Sequence, residues 1–266
     1  MSVFLYEMTH VEVEQKVKEG AAVIIPMGSV EQHGVHLPLG TDVFVALEIS
    51  RRVAEKTGSI IAPALWVGFS KEHMAFKGTL TLESDTLLRV VRDVVKSLAS
   101  HGFRKIVVIN AHGGNDAALR LAVSEVNLSL GVDALYIGPN ELTSLLPPEL
   151  KNQLEESMDL HAGILETSIV NLVRPDLVRR NRPSKPKVSF KRHVAESLKL
   201  AEGNPQLKSN IIASALSRFD EISDNGALTL ADPLNHWSEL ETERALEEIA
   251  SKLAVLLEKW KLVEKT

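Results

Sequence analysis

The chain has 266 residues, 44% of them hydrophobic, which is enough to bury one sizeable core and predicts a single domain over residues 1–266. It contains 0 cysteines, which excludes disulfides, thiolate metal sites and cysteine nucleophiles, so a bound metal ion needs histidine and carboxylate ligands. A formal net charge of -5 excludes a global electrostatic attraction to nucleic acid or to an anionic membrane.

The first elements alternate between strand and helix patterns. Residues 21–27 form a short apolar, β-branched run that predicts a buried strand, closed by Gly28. Apolar residues return at helical spacing over residues 42–56, and Gly58 stands where that helix should end. Residues 59–66 then predict a second strand.

The same alternation continues through the middle of the chain. We predict a helix over residues 85–100, a strand over 105–110, a helix over 115–130, a strand over 134–138 and a helix over 162–173. Strands that alternate with helices favour a mostly parallel sheet covered on both faces, which is a three-layer α/β/α fold.

The last third begins with an irregular stretch. Residues 174–205 are rich in proline and basic residues and have little periodicity, which predicts an excursion over the surface. Within it, residues 179–192 carry seven basic residues and two prolines, which fits either a solvated loop or an anion-binding flap. Residues 241–261 predict an amphipathic helix.

Three polar clusters contain candidate ligands. The segment after the first strand, residues 28–42, reads Gly-Ser-Val-Glu-Gln-His-Gly-Val-His-Leu-Pro-Leu-Gly-Thr-Asp and offers Glu31, His33, His36 and Asp42. Residues 110–115, Asn-Ala-His-Gly-Gly-Asn, follow the third strand and by themselves fit an ordinary βα loop or a phosphate cradle. Residues 159–168 place His161 before a predicted helix and Glu166 about one turn inside it, which alone fits a solvated helix start.

Together the clusters favour a metal centre. Ligands of open α/β sheets bind outside the carboxyl ends of the strands, where the first two clusters fall. If Glu31, Asp42 and Glu166 were buried side by side there, their charges would need neutralising cations. Histidine plus carboxylate ligands match zinc, manganese, iron or cobalt better than copper(I), an iron–sulfur cluster, calcium or magnesium.

The segment 28–42 closely resembles the signature of the creatininase (creatinine amidohydrolase) family. Residues 110–115, and His-Ala-Gly-Ile-Leu-Glu-Thr-Ser at 161–168, resemble its second and third signatures. Phe-Ser-Lys-Glu-His at 69–73, followed by Phe-Lys-Gly-Thr at 76–79, resembles a family loop that bears a histidine, here His73. These motifs occur in the family's order from about residue 5 to residue 240, which makes the resemblance specific.

The resemblance implies an α/β/α fold, two divalent ions per chain and hydrolysis of a non-peptide carbon–nitrogen bond in a small amide. Glu31 and His112 would each bind one ion, His33 would bind the other, and Asp42 would bridge them. Creatinine amidohydrolase has a glutamate ligand where this chain has Gly114. The chain therefore resembles the His-Gly-Gly-Asn branch of the family, in which the fifth ligand expected here is Glu166.

A second departure lies beside the expected catalytic histidine. Creatinine amidohydrolase has a glutamate where this chain has Leu160, so the carboxylate that would support His161 is missing or is supplied by Asp159. Both departures argue against creatinine as the substrate. The same branch includes enzymes that resemble deformylases of a formylaminopyrimidine ribotide, and a peptidase that matures a peptide-derived cofactor.

The expected mechanism is attack on the amide carbonyl by a metal-bridging hydroxide. Glu166, as a metal ligand, and His161, which protonates the leaving nitrogen, are the expected catalytic residues. We expect His36, His73 and Asn115 to support the ligands or the substrate, although a purely structural loop role fits His36 and Asn115 equally well. A serine hydrolase is excluded because no Gly-x-Ser-x-Gly motif occurs. The remaining alternatives are creatinine amidohydrolase itself and a non-catalytic metal-binding or ligand-sensing module.

The sequence also carries expectations about location and assembly. No basic start is followed by a long apolar run, so we expect a cytoplasmic protein that binds neither nucleic acid nor membranes. The family resemblance implies a closed homo-oligomer, a hexamer or a smaller even-numbered ring. The two ions are expected to be zinc, manganese or iron.

Overall fold

A four-stranded parallel sheet lies at the centre of the fold. The computed structural model describes residues 2–182, 184–201, 203–204, 207–208, 211–212 and 218–262. Its strands are β1 (Val23–Met27), β2 (Ile60–Ile61), β3 (Lys105–Asn110) and β4 (Asp133–Ile137). They are ordered β2-β1-β3-β4, and each described strand pair is parallel, which confirms the predicted sheet.

Helices cover both faces of this sheet and give the predicted three layers. In chain order, the helices described over their whole length are α1 (His10–Lys18), α2 (Thr41–Thr57), α3 (Ser84–Ser100), α4 (Asp116–Ser129), α5 (Pro139–Ser144), α6 (Pro148–Glu156), α7 (Ile164–Val173), α8 (Arg192–Leu200) and α9 (Glu239–Lys261). None of the helices among the described residues is both long and apolar enough to cross a membrane.

Successive residues of the central strands pack into two different cores. Because side chains alternate between the faces of a strand, Ile24 of β1 belongs to the core formed with α2, α7 and α9. Its neighbours Val23 and Ile25 belong to the core formed with α3 and α4. Both faces are therefore buried, which explains why the strand sequence is apolar without alternation.

The second strand is shorter than predicted. Residues 59–66 were expected to form one strand, but β2 ends at Ile61. Pro63 has no N–H to donate, and pairing with β1 resumes only at Leu65, whose N–H donates to the carbonyl of Pro26 at 3.0 Å.

Helices α1, α5, α6 and α8 go beyond the sequence-based predictions. The helix α8 lies inside the stretch 174–205, which was expected to be an irregular excursion. Its Val194 is 6% exposed, and Leu198 packs with a small core that includes Phe219. Val194 and Leu198 stand four residues apart, so a short helical pattern is present in the sequence, and its proline-rich and basic surroundings obscured it. Positions 183, 202 and 205 of the stretch lie outside the described residues.

Candidate metal centre

The candidate centre lies where β1 and β3 end. The segment after β1 must turn back closely, because Gly28 passes the first turn of α2. A Cβ atom at Gly28 would lie 2.6 Å from the backbone nitrogen of Val43 and 2.7 Å from Cβ of Asp42. Glycine is the residue that permits this approach, and the approach brings Asp42 beside the loop that carries Glu31.

The first group of potential ligands combines Glu31, Asp42 and His112, all buried. Nδ1 of His112 lies 3.2 Å from Oε1 of Glu31 and 3.4 Å from Oδ2 of Asp42. The other ring nitrogen of His112, Nε2, donates to the carbonyl oxygen of Phe69 at 2.7 Å. This outer hydrogen bond leaves the Nδ1 lone pair facing the two carboxylates, as a metal ligand requires.

The second group lies around His33. Its Nε2 atom is 3.0 Å from Oδ1 of Asp42 and 3.8 Å from Oε2 of Glu166. The Glu166 side chain is 18% exposed, whereas the side chain of His33 is 0% exposed. Oε2 of Glu166 accepts a hydrogen bond from the backbone N–H of Ala162 at 2.6 Å. Asp42 therefore stands between the two groups.

Two further imidazoles face the same carboxylate oxygen. Nε2 of His73 lies 3.3 Å from Oε1 of Glu31, and Nδ1 of His161 lies 3.7 Å from it. Burial lowers the pKa of His73 to about 3 and lowers the pKa of His161 well below its ordinary value. Both rings are therefore neutral near neutral pH.

The carboxylates of the centre lack ordinary partners. Both oxygens of Glu31 and Oδ2 of Asp42 are buried and accept no hydrogen bond from the residues that the structure describes. Buried oxygens without a hydrogen bond are costly, by about 1–3 kcal/mol for each unsatisfied group. A divalent cation would satisfy these oxygens, so the residues present fit a metal centre.

The electrostatics of the cluster indicate the same need. Burial raises the pKa of Glu31, but the imidazoles of His112 and His73 outweigh burial and hold that pKa well below its ordinary value. Burial lowers the pKa of His112, yet Glu31 outweighs it and raises the pKa to about 10. The pKa of His33 is raised to about 10 in the same way, chiefly by Asp42. Without a cation, protons on these two imidazoles balance the carboxylates, and metal binding would displace those protons.

Other expected site residues lie at the edge of the cluster. His36 contacts Thr167, with Nε2 2.9 Å from its hydroxyl oxygen, and belongs to neither ligand group. Asn115 accepts a hydrogen bond from the N–H of Phe69 at 2.8 Å and donates to the carbonyl of Gly28 at 3.0 Å. Asn115, which follows β3, thus forms hydrogen bonds with the loops that follow β1 and β2.

Asp159 has a local structural role. Its two oxygens accept hydrogen bonds from the backbone N–H groups of Ile164, at 2.6 Å, and Leu165, at 3.0 Å. Both donors belong to the first turn of α7, so Asp159 caps this helix. These contacts give its carboxylate partners other than His161, whose Nε2 donates to the carbonyl of Gln32 at 2.7 Å.

Sequence reasoning missed two residues that contact the histidines. Nε2 of Gln32 lies 2.7 Å from Nδ1 of His73 and 3.0 Å from Nε2 of His161. The ring of Phe219 stacks on His73, with centroids 4.0 Å apart, and lies 5.0 Å from the ring of His161. Gln32 could have been suspected because it stands between two expected ligands. Phe219 has no such sequence context.

Comparison with known proteins identifies the family. A family model described as creatininase, creatinine amidohydrolase, matches residues 6–257. The chain belongs to the creatininase family. Like the family's amidohydrolases, it is an enzyme that hydrolyses a carbon–nitrogen bond. The resemblance found in the sequence motifs is thereby confirmed.

Relatives within the creatininase family act on different compounds. Creatinine amidohydrolase of Pseudomonas putida is 32% identical over 68% of this chain and 75% of its own length. The mycofactocin precursor peptide peptidase of Mycolicibacterium smegmatis is 30% identical over 90% of this chain and 85% of its own length. A 2-amino-5-formylamino-6-ribosylaminopyrimidin-4(3H)-one 5'-monophosphate deformylase of Methanococcus maripaludis is 29% identical over 46% of this chain and 57% of its own length.

A solved creatininase has the same fold. The structure of a creatininase mutant, in which one tryptophan is replaced by alanine, superposes with a TM-score of 0.76 at 26% identity. The superposition covers 99% of this chain and 100% of that one. Another solved family structure is described as containing manganese.

Proposed function

We propose that the chain is a two-metal amidohydrolase whose active site is this centre. The observation that carries the proposal is the set of buried carboxylate oxygens on Glu31 and Asp42 that lack hydrogen bonds, although Nδ1 of His112 lies 3.2 Å from Glu31 and 3.4 Å from Asp42. One ion would be held by Glu31, Asp42 and His112, and the other by His33, Asp42 and Glu166. Zinc, manganese or iron suits these ligands.

The bound ions would supply two effects, a lowered pKa for water and polarisation of the amide carbonyl. The chain's own residues then handle the proton. Nδ1 of His161, which faces Oε1 of Glu31 at 3.7 Å, takes one proton from the attacking water. It gives this proton to the leaving nitrogen as the carbon–nitrogen bond breaks, so the ring returns to its neutral form.

A phosphate-bearing formamide, such as a formylaminopyrimidine ribotide, is the substrate that we propose. Gly114 and Leu160 replace the two glutamates expected of a creatinine-cleaving enzyme. The basic segment 179–192 starts next to the segment 28–42, which carries three of the expected metal ligands. The N–H of Arg179 donates to the carbonyl of His36 at 2.7 Å. Arginine and lysine donors at this edge suit a phosphate. The deformylase from Methanococcus maripaludis supports this substrate class.

A peptide substrate is the second candidate. It is favoured by the match to the mycofactocin precursor peptide peptidase, which extends over 90% of this chain. The two candidate substrates differ in charge. Only the phosphorylated one would bind the basic side chains of the segment 179–192 through its phosphate.

The test of catalysis starts with metal-free protein. The chelated chain is assayed before and after loading with zinc, manganese, iron or cobalt, against the formylaminopyrimidine ribotide, its dephosphorylated analogue, creatinine and a mycofactocin precursor peptide. We expect activity only after loading, and the highest kcat/KM for the ribotide. Full activity of verified metal-free protein would overturn the two-metal mechanism. No turnover of any amide by loaded protein would favour the non-catalytic metal-binding module.

The role of the basic segment is tested by neutralising Arg179, Arg180 and Arg182 together to glutamine. We expect a higher KM for the phosphorylated substrate and an unchanged KM for the dephosphorylated analogue. Replacing three exposed basic residues of α3 in the same way, Arg89, Arg92 and Lys96, is the matched control. Equal effects on both analogues, or a creatinine rate above the formamide rate, would contradict this substrate.

We further propose one domain over residues 1–266, a cytoplasmic location and a homo-oligomer that binds neither nucleic acid nor membranes. The unbroken match of the family model over residues 6–257 supports a single domain.

A further inference from the structure

The side-chain amide of Gln32 is held in one orientation by two backbone groups. Its Oε1 accepts a hydrogen bond from the N–H of Gly34 at 3.0 Å, and its Nε2 donates to the carbonyl of Gly226 at 3.0 Å. A flipped amide would place oxygen against the carbonyl and NH₂ against the N–H, so both bonds would be lost. Gln32 is 4% exposed, so water could not easily replace them.

The surroundings of His161 favour a hydrogen on Nε2. This nitrogen lies 2.7 Å from the backbone carbonyl oxygen of Gln32, which can only accept. Nε2 of the Gln32 side chain is 3.0 Å from the same ring nitrogen, but two donors cannot bond to each other. The neutral ring therefore has its lone pair on Nδ1, which faces Oε1 of Glu31.

His73 has the opposite arrangement. One hydrogen of the Gln32 amide goes to Gly226, and the second is free for Nδ1 of His73 at 2.7 Å. Because Nδ1 accepts this bond, the neutral ring carries its hydrogen on Nε2. This Nε2 atom lies 3.3 Å from Oε1 of Glu31, at the edge of the candidate metal centre.

We propose that Gln32 is a positioning residue that sets which ring nitrogen carries the hydrogen in His73 and His161. Through it, His73 presents an N–H donor to the metal centre and His161 presents a lone pair. The inference deepens the proposed hydrolase function and rests on it. Two imidazoles that face the same carboxylate oxygen are thereby given different tasks.

The arrangement suits the proton transfer proposed for the reaction. A lone pair on Nδ1 of His161 can take the proton of the attacking water, while Nε2 stays fixed on the Gln32 carbonyl. His73 keeps its proton and can donate a hydrogen bond to the negative charge that develops on the substrate oxygen. The Gln32 carbonyl thus stabilises the protonated His161 ring in a chain that has Leu160 where a carboxylate was expected.

Gly226 keeps Gln32 in place. A Cβ atom at this position would lie 1.9 Å from Oε1 of Gln32, so any larger residue would displace the amide. The φ angle of Gly226 is 89°, in the left-handed region that favours glycine. This residue offers a way to disturb Gln32 without replacing it.

Neutron diffraction from deuterated, zinc-loaded crystals reads the proposed positions directly. In the wild-type chain we expect deuterium on Nε2 of both His73 and His161. In Gln32→Glu the side chain can only accept, so deuterium should move to Nδ1 of His73. His161 should keep its deuterium on Nε2, because its partner is a backbone carbonyl. Deuterium on Nδ1 of His73 in the wild type, or an unchanged His73 in the variant, would overturn the proposal.

Kinetics test whether the positions matter for hydrolysis. We expect Gln32→Glu and Gln32→Met to lower kcat about 10- to 100-fold, with KM and the metal content unchanged. Gly226→Ala should have the same effect. Gly20→Ala is its matched control, because Gly20 also has a positive φ of 71° but a Cβ atom there would have no neighbouring atom within 4 Å. If both Gln32 variants kept the wild-type kcat, Gln32 would have no role in hydrolysis.

The two assays separate this inference from the proposed function. The deuterium positions are read without any substrate, so they stand or fall independently of hydrolysis. A wild-type chain that binds metal but hydrolyses no amide contradicts the proposed function, whereas active wild type with unaffected Gln32 variants contradicts only the positioning role.

Discussion

Oε2 of Glu166 lies 3.8 Å from Nε2 of His33, although the two residues are far apart in the sequence. The contact brings a carboxylate from the first turn of α7 to the loop that follows β1. It supplies an acidic group on a chain in which Gly114 occupies the position of the glutamate expected of creatinine amidohydrolase.

Glu166→Gln should therefore lose one of the two ions. The amide keeps the size of the side chain but removes the charge that would hold the metal at His33. Elemental analysis should give about one ion per chain, and kcat should fall by at least about 100-fold. Glu239→Gln, a neutralisation in the first turn of α9, should keep both ions. Two ions bound to Glu166→Gln with wild-type affinity would require a different fifth ligand.

Asp42 and His33 should differ in how many ions they hold. Asp42→Ala should lose both ions because Asp42 lies between the two ligand groups, 3.0 Å from His33 and 3.4 Å from His112. His33→Ala should lose mainly one ion. Metal titration followed by calorimetry would measure the stoichiometry of each variant. If both variants kept two tightly bound ions, the ligand assignment would be wrong.

The two glycines of the His112 loop should respond differently to alanine. A Cβ atom at Gly114 would lie 2.4 Å from Nε2 of His112 and 2.4 Å from the carbonyl oxygen of Phe69, whereas no atom lies within 4 Å of a Cβ atom at Gly113. Gly114→Ala should displace His112 and weaken metal binding about 10- to 100-fold, while Gly113→Ala should bind metal as the wild type does. Metal affinity measured for this matched pair decides the point, and equal affinities would contradict it.

Restoring a glutamate at position 114 should not restore a creatininase-type ligand. The space beside Gly114 is already occupied, because Oε1 of Glu72 would lie 2.7 Å from a Cβ atom there. We expect Gly114→Glu to bind metal more weakly than the wild type and to gain no creatinine hydrolysis. A gain of creatinine turnover in this variant would contradict that expectation.

The assembly is expected to be a closed homo-oligomer. Light scattering with the metal-loaded chain at micromolar concentration should give an even-numbered oligomer, a hexamer or a smaller ring. A monomer under these conditions would be the opposite result. The same measurement after chelation would report whether the metal centre contributes to assembly.

The sequence by itself determined the sheet and the family. The apolar run 105–110 is buried from both faces, and its pattern predicted both ends of β3 correctly. The motifs around Glu31, His112 and His161 follow one another in the order expected of the family, and ordered short motifs survive even when the rest of a sequence diverges. The ends of α2 were also close to prediction, because Gly58 adopts the left-handed conformation, with a φ of 65°.

The tertiary structure alone decided which of these residues meet and with which atoms. Local patterns carry no information about contacts between distant segments, such as Phe219 with His73, and the expectation that Glu166 joins the centre of His33 came from the family resemblance. The sequence offered Asp159 as a support for His161, but the structure places its oxygens on the N–H groups that begin α7. The same holds for Gln32, because its hydrogen bonds to His73 and Gly226 depend on a fold that brings loops from three parts of the chain together.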